Sequence, residues 1–370
     1  MIRKRNGIIA LIILVVLIAA SIMYQFFRYD TYDVEATFDR NDEEGTQYAT
    51  FDSNLIKYNA DGAFYTKEDG TLIWNISYEY TNPTLKMTKD YILLYDERGR
   101  GLELLDKEGS VLSLEMNMAI RRATISNTGV VAVLMEEGHI SFLQMYSPEG
   151  AKIAEGTIYP ENSGFPIALA LSSDAKLLML SELDINNKNM TSRIVFYNFG
   201  SVGQNESDNI VASYIYGDEI IPEVCFMSDD TPIAYSDSVI RLYSKSEKPK
   251  ENKIIPYASK IKSIENDGSN FIVISENDNP SDSNAYLLEI FNKHGRRIGH
   301  RSFDYGYDNV SILPGPQIVI TNGPTLNFYS RIGVNSYSGD MDSNVYAVLS
   351  RGNGSYTVIE NNQSSRIRLR

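Results

Sequence analysis

The side chains best suited to chemistry are few and scattered. Three histidines, His139, His294 and His300, and one cysteine, Cys225, are spread over 370 residues, and the three histidines sit in turns or at strand ends. No Cys/His set has the spacing of a zinc site, and no G-x-S-x-G elbow or glycine-rich phosphate loop occurs. Cys225 lies in the apolar string "EVCFMS", which suits an inert core thiol better than a reactive one. Carboxylates are abundant, so an acid–base pair can be built in many ways and no single pair stands out. Asp184–Asn189, "DINNKN", and Glu276–Asn284, "ENDNPSDSN", offer oxygen ligands of the kind calcium takes, although flexible polar hairpins have the same composition. No catalytic, cofactor-binding or metal-binding residue is therefore assigned, and no cofactor is called for.

The elements that must position these groups are repeats. "LELLDKEGSVL", Leu102–Leu112, and "LEIFNKHGRRI", Leu288–Ile298, share an apolar strand, a polar turn with glycine, and a second apolar start. Further copies read "AFYTKEDGTLIW", "SFLQMYSPEGAKI", "RIVFYNFGSV", "VIRLYSKSEKPK" and "TLNFYSRIGV". Their turn glycines, Gly70, Gly109, Gly150, Gly200, Gly295 and Gly333, recur at roughly 40–50 residues, with one double interval where the copy at 239–250 lacks the glycine. Ahead of each copy runs another apolar stretch, such as "YILLY", "VVAVLM" or "FIVIS", of the near-continuous kind expected where both faces of a strand are buried. Weaker strands such as "AIRRATIS" and "NVSIL" lie between copies.

A unit of this length with four antiparallel strands predicts an all-β fold, a β-propeller. Eight blades are expected, with seven the alternative. "VYAVLSRGNGSYTVIE" supplies the eighth unit, and "YAVL" there echoes "VAVL" at Val131–Leu134, a second strand. The ring is expected to close through the terminal "SRIRLR", Ser365–Arg370, or through an N-terminal strand such as "YDVEATF", Tyr32–Phe38. The 25 tyrosines beside a single tryptophan agree with a β-rich fold.

The first residues read differently. After Arg3, Lys4 and Arg5, residues 8–27 carry no charge and are long enough to cross a hydrocarbon layer about 30 Å thick. The basic flank orients such a helix with residues 1–7 in the cytoplasm and the propeller outside. A cleaved leader would use the small residues Ala19, Ala20 and Ser21, but the apolar run continues through Phe27, beyond what a leader needs. The expected organisation is thus a basic start (1–7), a membrane span (8–27), a linker that includes the candidate closing strand (28–45) and an extracytoplasmic propeller (46–370).

Beyond residue 29 the chain holds 30 basic and 48 acidic residues, a balance that disfavours a nucleic-acid partner. One cysteine forms no intramolecular disulfide, so packing alone must hold the exported domain. N-x-S/T sequons, such as those at Asn75, Asn189, Asn205, Asn353 and Asn362, matter only in a eukaryotic secretory pathway.

The blade end "DGTLIW", Asp69–Trp74, resembles the quinoprotein-like propellers, and the repeats as a whole are similar to quinoprotein-like and WD-type blades. The architecture of basic start, single span and exported propeller resembles a family of Gram-positive bacterial membrane-anchored propellers of unknown function. The chain departs from the quinoprotein pattern in having one docking tryptophan, Trp74, and from the WD pattern in lacking its Gly-His and Trp-Asp pairs. Two functions follow. The first is a non-enzymatic binding or scaffold module for a protein or envelope partner. The second is a carbohydrate-acting hydrolase whose carboxylates converge on the propeller axis.

Overall fold

The computed structural model describes residue 15 and residues 26–370, apart from 41, 44, 68, 186–189, 316 and 362. Among the described residues, 32 strands form eight four-stranded antiparallel sheets, the blades of a closed propeller. Blades 1 to 7 span 47–77, 83–115, 119–158, 165–217, 223–256, 261–303 and 309–340 in chain order. The first strands of blades 2 to 5, and those of blades 6 and 7, touch one another along the inner side of the ring.

Burial along each blade follows the sequence pattern. The second strands are the most buried, Ile92–Asp96 and Pro232–Tyr235 at every residue, because they lie mid-sheet between two neighbouring blades. The hydrophobic core is therefore a set of seams. Leu93, Tyr95 and Leu104 of blade 2 pack on Ile120, Ala123 and Val133 of blade 3, and Ile56 and Tyr65 of blade 1 pack on Ile92 and Leu94 of blade 2.

The repeated turn is also explained. In four blades the residue at or just after the end of the third strand donates its N–H across the turn to the carbonyl four residues on, while the turn glycine donates back, as in Asn292 N–H to Arg296 O and Gly295 N–H to Asn292 O. This geometry puts the glycine at positive φ, +69° at Gly295 and +81° at Gly70, where a side chain is disfavoured. Each of blades 1 to 7 has a register shift between its third and fourth strands, for example at Leu104/Leu105 and Ile290/Phe291. The shift lets the outer strand twist away from its neighbour.

Blade 8 joins the two ends of the chain. Its first three strands are Val345–Gly352, Ser355–Glu360 and Gln363–Leu369, and its fourth is Tyr32–Asp39. The terminal strand and the N-terminal strand therefore close the ring together. "VYAVL" is a first strand, not the second strand that its likeness to "VAVL" suggests; the second strand is the fully buried Ser355–Glu360. Tyr32 faces Leu369 and Val34 faces Ile367. Ile367 and Leu369 point into the core while Arg368 and Arg370 reach Glu35 and Asp33 on the adjoining strand. Backbone bonds from Tyr29 N–H to Ser336 O and from Asp30 N–H to Arg370 O pin the entering chain to blades 7 and 8.

Equivalent connections in a ring of like blades share a face. The third-to-fourth turns mark one face, and because Tyr32 pairs with Leu369, the chain enters the propeller there. The second-to-third hairpins mark the opposite face, which carries the long inserts after Leu177–Asp184 and Asn270–Glu276.

Replacing Ile367, which is fully buried, with Ala removes apolar contacts at the closing seam and is expected to destabilise the fold by about 2–5 kcal/mol. Arg368→Lys, at a solvent-exposed pair, should leave the melting temperature nearly unchanged. Thermal and urea unfolding of the two variants check both outcomes.

Candidate functional site

The axial channel collects side chains that the sequence leaves far apart. Lys86 on the first strand of blade 2, Glu223 on that of blade 5 and Glu265 on that of blade 6 all keep contact with solvent yet act electrostatically on one another. Alternation along the first strands explains why. Val224 turns into the blade seam and is buried, so Glu223 beside it faces the axis.

The channel walls take away much of the water that would solvate these carboxylates. Burial pushes the Glu265 carboxyl up to about 7, with the negative charge of Glu223 adding to the rise and Lys86 opposing it. Glu223 is raised by burial and drawn back by Lys86. Near neutral pH Glu265 is therefore able to take up or release a proton.

A cavity of about 360 Å³ opens between the inner parts of blades 5 and 6 and has Glu223 in its wall. Ile220, Pro222, Ile261 and Ile264 give that wall an aliphatic surface. The Tyr235 hydroxyl there already accepts a hydrogen bond from Cys225 Sγ at 3.6 Å. Burial pushes the Cys225 thiol up to about 12, so it stays protonated and unreactive, as its apolar surroundings in the sequence imply. Asp237, Lys262 and the hydroxyl-bearing Ser236 and Ser263 line the same cavity beside the aliphatic side chains.

The residues singled out from the sequence stay dispersed. His139 lies in a hairpin of blade 3, His294 in a turn of blade 6 and His300 on the outer strand of blade 6, all exposed. Of "DINNKN", residues 186–189 lie outside the described residues. In the other hairpin, Asp282 accepts from the backbone N–H and side-chain amide of Asn284. Hydrogen bonds there, with Ser302 the largest contributor, hold Asp282 down to about 2. Glu276 pairs with Lys262 at 2.6 Å. Among the described residues, no three His, Cys, Asp or Glu side chains converge as a metal site would require. The sequence led to an expectation of carboxylates on the axis without naming any, because only repeat spacing signals them: Glu223 and Glu265 lie one period apart on the weak first strands.

Trp74 plays the part its motif implies. It is nearly buried, and its Nε1 donates to Asp106 O at 3.1 Å, which docks blade 1 onto blade 2.

Closed blades of this kind, with one interblade tryptophan and an acidic axis, define an eight-bladed β-propeller. Residues 25–369 match the model of a family of unknown function (DUF5711), and the chain belongs to that family. Its fold is similar to that of BamB from Moraxella catarrhalis, at 13% identity and a TM-score of 0.55, over 92% of this chain and 100% of that one. Hsv2 of Kluyveromyces lactis gives 12% identity and a TM-score of 0.51, over 81% of this chain and 98% of that one. At these identities the likeness is one of fold. No curated protein matches the chain.

The raised carboxyl has a signed consequence for stability. The folded state holds the Glu265 proton more tightly than the unfolded chain does, so stability is lost as pH rises from the ordinary glutamate value, about 4.3, through about 7. Glu265→Gln mimics the protonated form. The variant should melt with wild type at pH 5 and above it at pH 8, and paired melting curves across that range test the assignment.

Proposed function

We propose that this chain is a non-enzymatic binding module, a propeller tethered to the outer side of a cell membrane by residues 8–27 that presents a rigid surface to a protein or envelope partner. That span lies outside the described residues except for 15, 26 and 27, and no helix among the described residues is long and apolar enough to cross a membrane. The apolar, uncharged run behind a basic start supports the span.

One observation carries the reading. The chain enters the ring on the face of the third-to-fourth turns and is pinned there at Tyr29 and Asp30. A tether at that point turns this face toward the membrane. The face with the second-to-third hairpins, including the insert at 277–285, then points away from it. Loops on a rigid scaffold are the usual place for recognition.

The test uses cells that express the full chain. A membrane-impermeant amine reagent should modify exposed Lys67 before lysis, and modification only after lysis would overturn the orientation. A photo-crosslinking residue at Asp278 or Asn279 on the outward face should trap one defined partner, whereas the same residue at Lys107 or Glu149 should not. Equal trapping from both faces would remove the case for an outward binding face.

A further inference from the structure

On the flank of the ring, away from the axis, a cleft of about 280 Å³ opens between blades 3 and 4. Its floor is apolar, formed by Leu143, Met145 and Ile158, and one side is aromatic. The rings of Tyr197 and Phe199 lie almost parallel there, 8° apart in plane with centroids at 6.4 Å.

Its polar groups are ones the fold does not use. Arg193 gives its Nε–H to Glu182 Oε2 at 2.6 Å, and the rest of its guanidinium makes no hydrogen bond to a described residue. The Tyr197 hydroxyl makes none either, and burial keeps that phenol protonated. Asp208 and Asn209 both hold left-handed backbone, φ 55° and 59°, a conformation that Asp and Asn tolerate better than most residues. They stand where blade 4 begins its outer strand, at the edge of the cleft.

Glu182 shows that this arrangement is not there for stability. It is fully buried, and its Oε1 has no partner. A buried ion pair adds little to stability, and an unsatisfied carboxylate oxygen subtracts from it. What the pair does achieve is to fix the direction of Arg193, so Glu182 is a positioning residue for the cleft.

The charges narrow the ligand. Glu182 balances Arg193, Lys152 pairs with Glu155 at the rim, and Asp208 adds one negative charge. Asp208 disfavours an anion and Arg193 disfavours a cation. The remaining fit is a neutral molecule with an apolar face for the aromatic wall and several hydroxyls to accept from Arg193 and donate to Asp208. We propose that the cleft between blades 3 and 4 binds a neutral sugar unit of a glycan, its C–H face on Phe199 and its hydroxyls on Arg193, Asp208, Asn209 and the Tyr197 hydroxyl. The volume, near the small end of the ~300–1,000 Å³ typical of ligand sites, suits a single unit held at the flank of a longer chain.

This inference goes beyond the outward-face reading and does not depend on the tether, so purified full-length chain suffices. Neutral hexose and N-acetylhexosamine oligosaccharides are screened on an array, and binding is then measured by titration calorimetry. At least one oligosaccharide should bind. Tyr197→Phe and Asp208→Gly should each weaken it about tenfold, the loss of one good hydrogen bond to the ligand. Their melting temperatures should stay close to wild type, since Phe keeps the ring and Gly accepts the left-handed backbone at 208. The charge-balanced double variant Glu182→Gln/Arg193→Gln should abolish binding, and axial Glu265→Gln should leave it intact. Failure of every oligosaccharide to bind, affinity unchanged in Tyr197→Phe and Asp208→Gly, or loss in Glu265→Gln alone would each overturn the assignment.

Discussion

The antiparallel pairing of Tyr32–Asp39 with Gln363–Leu369 holds the two ends of the chain in one sheet, and the rest of the molecule depends on it. A stack of blades left open would expose an unpaired strand edge and the apolar faces of its first and last sheets. Sharing blade 8 between the chain termini removes both defects at once. The pairing also explains the side chains of the last strand, which must be apolar toward Val345 and Val358 in the terminal core and charged toward Asp33 and Glu35 on the rim.

Closure fixes the channel, and the channel creates the electrostatics. Glu223, Glu265 and Lys86 would be ordinary surface groups on an isolated blade. Bringing their strands around one axis takes water from the carboxylates and sets their charges against each other, which raises Glu265 toward neutrality. The cost is carried by the seams, where large side chains such as Tyr65, Tyr95, Tyr235 and Phe271 are almost wholly buried. A fold stabilised mainly by seam packing has room for unfavourable charge at its axis and for an incompletely satisfied glutamate on its flank.

The same logic separates the surfaces. The face by which the chain enters is committed by its backbone bonds to blades 7 and 8, whereas on the opposite face the hairpins of blades 2, 5 and 7 bond the first strand of the next blade and the insert at 277–285 closes on itself. The blade 3–blade 4 flank differs from both, because its polar side chains are braced from behind by a buried carboxylate and not by turn geometry.

The blades themselves were legible in the chain. Short-range patterns determine the apolar second strands, the Asn292–Gly295 and Lys67–Gly70 turns and the alternation in Ser365–Arg370, since each depends on residues within a few positions of one another. The repeat length then determines the propeller, because a sheet with two apolar faces must be covered on both sides by its like. Local likeness was less safe for "VYAVL", whose apolar run fits a first or a second strand equally and is assigned only by what packs beside it. Which residues meet across the axis, that Tyr32–Asp39 completes the blade begun at Val345, and that Glu182 stands behind Arg193 were decided by the tertiary structure alone. Those relations join residues of different blades or opposite chain ends, and they arise from ring closure, which no local pattern encodes.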